Sequence, residues 1–124
     1  MIGGVVITGN SPVSLLIRAL GPSLADAGLS GVLPNPALEL HDASGALIFS
    51  NDNWRDVQES EIIATGLAPA NDLESAMVIT LSPGAYTIIL SGVGGTTGLG
   101  FAQFYSLDLP IRELNPAPII RRRH

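Results

Sequence analysis

The chain has 124 residues, 46% hydrophobic, 14% charged and 5% aromatic, with 14 Gly, 9 Pro, no Cys and a formal net charge of -5. That length suits a single domain; the apolar fraction excludes a disordered polymer, and so much Gly and Pro excludes a helical bundle. All six basic residues are arginines, and residues 1–109 hold two of them against ten acids, a balance that repels phosphate backbones and excludes nucleic acid as the expected partner.

Short apolar runs closed by turn residues follow one another along the chain. Residues 4–8 and 14–20 read as strands, because they are rich in β-branched residues, bounded by Gly and Pro, and too short for a stable amphipathic helix. One helical turn is expected within residues 23–31, before Leu33, Pro34, Asn35 and Pro36 enforce extended chain. Residues 37–42 and 46–50 form the clearest hairpin. Leu38 and Leu40 alternate with Glu39 and His41, giving one buried and one wet face, and Ala43, Ser44 and Gly45 supply the turn.

A polar stretch, Asn51-Asp52-Asn53-Trp54-Arg55-Asp56, leads into residues 59–66, which read equally well as a short helix or an irregular edge. Three further strands are expected over 74–81, 85–91 and 99–107. Residues 82–84 are read as a tight turn and 92–98 as a flexible Gly-rich hairpin loop. Seven or eight such strands describe an all-β fold, an antiparallel, jelly-roll-like β-sandwich over residues 1–109. From Pro110 the composition changes to Pro and Arg, so residues 110–124 read as a tail or linker.

Several kinds of chemistry are excluded. With no Cys there is no disulfide framework, thiolate zinc site or cysteine nucleophile, and with no Lys there is no P-loop. Gly92-x-Gly94 has Thr97 where a dinucleotide fingerprint needs its third glycine, and it joins two strands. The histidines are His41, in a strand beside Glu39, and His124 at the chain end. Neither has a Gly-x-Ser-x-Gly elbow to serve. The carboxylate pairs Glu59/Glu61 and Asp72/Glu74 read as solubilising acids near turns sooner than as a glycosidase pair. No enzyme is expected. No run is long enough to span a membrane, and the start of the chain lacks a signal-peptide pattern, so the chain is either cytoplasmic or cut from a longer exported precursor.

Two features leave alternatives open. Asp42, Asn51, Asp52 and Asp56 offer the hard oxygen donors that calcium takes, without the EF-hand rhythm. The competing and weightier reading is that Asp and Asn shape turns by bonding their own backbone. Trp54 could stack on a sugar or anchor a partner, or it could plug a loop against a sheet edge, the favoured reading.

Taken together, Leu16-Ile17-Arg18-Ala19-Leu20-Gly21-Pro22-Ser23-Leu24, Leu38-Glu39-Leu40-His41-Asp42-Ala43-Ser44-Gly45, Ser50-Asn51-Asp52-Asn53-Trp54-Arg55, Asn71-Asp72-Leu73-Glu74-Ser75-Ala76 and Pro83-Gly84-Ala85-Tyr86-Thr87 resemble a β-sandwich repeat unit of large secreted and surface proteins of environmental bacteria. That unit is similar in turn to the bacterial pre-peptidase C-terminal (PPC-like) domain, through a Leu-x-Leu-x-Asp-x-x-Gly hairpin and a later Pro-Gly-x-Tyr strand. The resemblance covers about residues 3–108. It implies an extracellular or cell-surface, non-catalytic structural or adhesive module. In some relatives it implies calcium, which would carry over to Asp42, Asn51, Asp52 and Asp56. Such a module is expected to contact protein partners, or to self-assemble through an open sheet edge near residues 3–8. The alternative is a calcium- or carbohydrate-binding accessory domain of a secreted enzyme, with polysaccharide as partner.

Overall fold

The computed structural model describes residues 2–108, 110–114 and 119–120. In chain order the elements are β1 (Ile2–Ile7), β2 (Val13–Leu20), α1 (Pro22–Asp26), β3 (Pro36–His41), β4 (Leu47–Asn51), α2 (Glu59–Thr65), β5 (Ser75–Leu81), β6 (Gly84–Gly92), β7 (Phe101–Ser106), β8 (Arg112–Leu114) and β9 (Ile119–Ile120). The strands form two sheets, ordered β4-β3-β6-β1-β9 and β5-β2-β7-β8. Their pairings are antiparallel apart from the parallel β1–β9 contact. The chain is thus an all-β sandwich.

Strand periodicity places the core. On β3, Pro36, Leu38 and Leu40 turn inward while Ala37, Glu39 and His41 alternate outward. Val5, Leu15, Ile17, Leu38, Leu40, Met77 and Ile88 fill the space between the sheets with no measurable exposure. Each such side chain stabilises the fold by roughly 1.5–3 kcal/mol relative to leaving it in water. Strand β2 is buried on both faces, because Leu16 faces away from this core into a second cluster with Trp54, Ile62 and Ala76. The four-stranded sheet is therefore covered outside by α2 and its flanking loops. Residues 59–66 resolve as a helix because Ile62 is drawn into that cluster and Gly66, at φ 74°, ends it in the left-handed conformation.

Three expectations change. Residues 92–98 do not close a hairpin, because β6 lies in one sheet and β7 in the other; the tight connection at 82–84 likewise carries the chain from β5 across the sandwich to β6. Turn residues report a reversal of direction, not which sheet receives the next strand. The 92–98 loop is also tied down, through Val93 N–H to the Asn35 carbonyl at 3.0 Å and Leu33 N–H to the Leu99 carbonyl at 2.8 Å. The segment after residue 109, read as a tail or linker, supplies β8, which pairs with β7, and β9. Finally, the edge expected to be open near residues 3–8 is occupied over part of its length, since Val6 and Ile7 pair with Ile119 and Ile120. Two β-branched residues are enough to add a short strand. The Arg121–Arg123 run and His124 lie outside the described residues, and among those described no helix is long and apolar enough to cross a membrane.

Candidate functional site

The polar motifs gather where the chain leaves β4 and passes to the other sheet. Asn51, at the end of β4, is 7% exposed. Its Oδ1 accepts the Ala76 N–H at 3.0 Å and its Nδ2 donates to the Asn53 carbonyl at 3.0 Å. Three residues on, the Trp54 N–H donates to the Glu74 carbonyl at 3.0 Å. Gln58 then donates from Nε2 to the Val78 carbonyl and accepts the Val78 N–H on Oε1, both at 2.9 Å. Glu74, Ala76 and Val78 are alternate residues whose main chain faces away from β2. Residues 51–58 therefore run along the free edge of β5 and satisfy it, mostly with side chains standing in for a strand.

Trp54 anchors this segment. It is 3% exposed and packs with Leu16, Ile62 and Ala76, while the Arg55 guanidinium lies over its ring at 4.2 Å from the centroid. Arg55 in turn bonds Asp72 at 2.7 Å and Glu59 at 2.5 Å. The ring is thus a plug between loop and sheet, and the expectation of a ligand or partner contact at Trp54 is corrected: it has no open face on which a sugar could stack.

Glu74, wholly buried, secures the turn after β2. Its Oε2 accepts the Gly21 N–H at 2.8 Å, the Ser23 N–H at 2.9 Å and the Ser23 hydroxyl at 2.5 Å; Oε1 accepts the Asn71 N–H at 3.3 Å. Gly21 has to be glycine here, because a Cβ would lie 2.1 Å from the Leu33 carbonyl oxygen. On the outer face of β2, Arg18 donates to Gln103 Oε1 at 2.7 Å, the Leu67 carbonyl at 2.8 Å and the Tyr105 hydroxyl at 2.9 Å. It also lies 5.0 Å from the Tyr105 ring centroid.

Of the four candidate calcium ligands, Asn51, Asp52 and Asp56 line one depression and Asp42 lies apart from them. Asp42 sits in the β3–β4 turn, where Oδ1 accepts the Ser44 N–H at 2.9 Å, the Ser44 hydroxyl at 2.6 Å and the Ala46 N–H at 3.0 Å. The Ser44 hydroxyl, then the Ala46 N–H, hold its carboxyl below the ordinary aspartate value. Asn51 pairs with Leu38 at the other end of the hairpin, four residues or about 13 Å away along a strand, and its oxygen is committed to Ala76. Asn51, Asp52 and Asp56 line an open depression of about 350 Å³ with Glu39, Ser50 and Val93. Among the described residues no three His, Asp or Glu are grouped to hold a metal.

His41 and Glu39 meet on the outer face of the five-stranded sheet, Nε2 to Oε1 at 2.8 Å, with Nδ1 3.1 Å from the Gly45 carbonyl. The Glu39 hydrogen bond, followed by the Gly45 carbonyl, raises the His41 pKa above its ordinary value. Of the carboxylate pairs, Asp72 is taken by Arg55 and Glu74 is enclosed. Sequence reasoning missed Gln58, Arg18 and the structural role of Glu74. An acid opening an otherwise apolar strand was the available signal for Glu74.

No family model matches the chain, and no curated protein matches it. Among solved structures the chain is similar to that of a glycoside hydrolase family 32 protein from Bifidobacterium adolescentis, at 15% identity and a TM-score of 0.45. The match covers 94% of this chain, which spans 14% of the length of that one.

Proposed function

We propose that this chain is a non-catalytic, extracellular or cell-surface β-sandwich module that makes protein contacts, of the repeat-unit kind similar to the pre-peptidase C-terminal domain. One observation carries the reading: the three best-connected polar side chains, Glu74, Arg18 and Arg55, are consumed in holding loops and edges. Glu74 serves Gly21 and Ser23, Arg18 serves Gln103, Leu67 and Tyr105, and Arg55 serves Asp72 and Glu59. A catalytic group needs a substrate within hydrogen-bond reach, and these groups have protein there instead. What the surface offers is sheet edge and exposed aliphatic side chain, such as Leu47 and Ile48 on β4.

A second reading, an accessory domain for carbohydrate or calcium, is favoured by the depression that Asp52, Asp56, Glu39 and Ser50 line. Calorimetry with Ca²⁺ and soluble polysaccharides, on the parent and on Asp52→Ala, separates the two. The contact-module reading expects no heat and no change in melting temperature. Binding that Asp52→Ala abolishes would transfer the function to the second reading, and turnover of an ester, peptide or glycoside would contradict both.

A further inference from the structure

His41 has two partners, and both are acceptors. Its Nε2 lies 2.8 Å from Glu39 Oε1, and its Nδ1 lies 3.1 Å from the Gly45 carbonyl oxygen. A carboxylate and a carbonyl only accept, and a neutral imidazole carries a single N–H, so the two hydrogen bonds exist together only when the ring is protonated. They also sit at a weak place in the ladder. Phe49 faces Leu40 and Leu47 faces His41, which leaves Ile48 unpaired as a bulge just before the turn through residues 42–46. His41 thus ties that turn back to β3 across an irregularity in the main-chain pairing.

We propose that His41 is a pH-sensitive clamp on the β3–β4 turn, holding Glu39 and Gly45 at once as imidazolium and letting go of Gly45 when it becomes neutral. The proton that leaves is the one on Nδ1, and it passes to water, which reaches the ring because the side chain is 19% exposed. The Nε2 proton stays, since a charged carboxylate holds it more strongly than a neutral carbonyl holds its counterpart. The Nδ1 lone pair then faces the Gly45 oxygen at hydrogen-bond distance, so attraction turns to repulsion and the turn loosens. The groups around the ring all favour the protonated form. The Glu39 hydrogen bond first, then the Gly45 carbonyl, and after them the charges of Glu39 and Asp42, raise the His41 pKa above the ordinary 6.5. On the neighbouring strands His41 lies opposite Leu47 of β4 and Thr87 of β6. The titratable group on those strands, Tyr86, donates its hydroxyl to the Ser82 carbonyl. Strands β2 and β5 pack against β3 from the core side, and their charged residue, Arg18, is engaged by Gln103, Leu67 and Tyr105 on the far face of its own sheet. Nothing in this geometry depends on the contact-module reading.

Nitrogen-15 NMR of the imidazole rings in the whole chain, followed across a pH titration, tests the clamp, with His41→Ala identifying the signals that belong to His41. Both ring nitrogens should be protonated below a midpoint that lies above 6.5, and beyond it the remaining proton should be on Nε2. The Asp42, Gly45 and Ala46 amides close the turn. Their protection from exchange, corrected for the intrinsic effect of pH, should fall about threefold or more through the same midpoint. In His41→Ala it should be low and indifferent to pH. Glu39→Gln keeps an acceptor for Nε2 but removes the charge, and should lower the midpoint. A His41 midpoint at or below 6.5 overturns the proposal. So does a neutral ring protonated on Nδ1, a midpoint unmoved by Glu39→Gln, or turn amides that ignore the His41 titration. Those outcomes leave the contact-module reading standing, since that reading fails on turnover or on Asp52-dependent binding.

Discussion

Gln58 and Val78 meet as two strands would: the Gln58 amide donates to the Val78 carbonyl and accepts its N–H, each at 2.9 Å. One side chain thereby occupies the main-chain groups that β5 would otherwise present to a neighbour. Gln58→Ala should cost about 1–2 kcal/mol, one modest hydrogen bond at each end of the amide. Urea denaturation reads that loss, and hydrogen exchange at the Val78 amide should accelerate with it. Gln58→Glu keeps the acceptor but sets a carboxylate oxygen against the Val78 carbonyl, and should cost at least as much as Gln58→Ala.

Glu74→Gln tests the buried carboxylate. Three donors from Gly21 and Ser23 converge on one oxygen, and an amide in that place brings its own NH2 among groups that also donate. The expected loss is about 2–4 kcal/mol in denaturant unfolding. A loss below about 0.5 kcal/mol, the scale of ordinary surface changes, would show that the turn after β2 does not depend on this clamp.

Trp54→Ala removes the plug between α2, β2 and β5 and should cost about 3–5 kcal/mol. In the native parent, Trp54 emission should be blue-shifted and insensitive to polysaccharide, because the ring is 3% exposed. Emission typical of a water-exposed indole would contradict its placement.

The fold also carries a pH dependence of known sign. The His41 pKa is raised, first by Glu39 and then by the Gly45 carbonyl. The stability this contributes is fully present below the ordinary value of 6.5 and is lost as pH rises through the higher folded value. Melting temperature followed upward from pH 6 should decline across that window in the parent and stay flatter in His41→Ala. At the acid end Asp42 acts oppositely: its folded pKa is lowered from 3.8, so its contribution is complete above that value and lost as pH falls through the folded one.

Much of this was legible in the residues. The alternation of Leu38 and Leu40 with Glu39 and His41 gave the hairpin and its wet face, and the lone Trp54 beside a polar loop was best read as a plug. Asp42 reads as a turn former because its partners, Ser44 and Ala46, are two and four residues away. Gln58 was not legible, since its partner is twenty residues distant and a glutamine before a helix is an ordinary surface residue. Nor were the sheet crossings at 82–84 and 92–98, where turn chemistry is the same whichever sheet follows. Strands β8 and β9 escaped because three and two residues carry no periodicity, and prolines beside them suggested a tail.

Native-state hydrogen exchange, residue by residue, tests most directly the claim that side chains of residues 51–58 close the edge of β5. The Ala76 and Val78 amides, held by Asn51 and Gln58, should exchange slowly, and in Gln58→Ala the Val78 amide should exchange markedly faster. Alternate amides of residues 47–50, on the terminal strand β4, should exchange faster than either. If the Ala76 and Val78 amides exchange as fast as those of 47–50, or the Val78 amide is unmoved by Gln58→Ala, the account of the closed edge is contradicted.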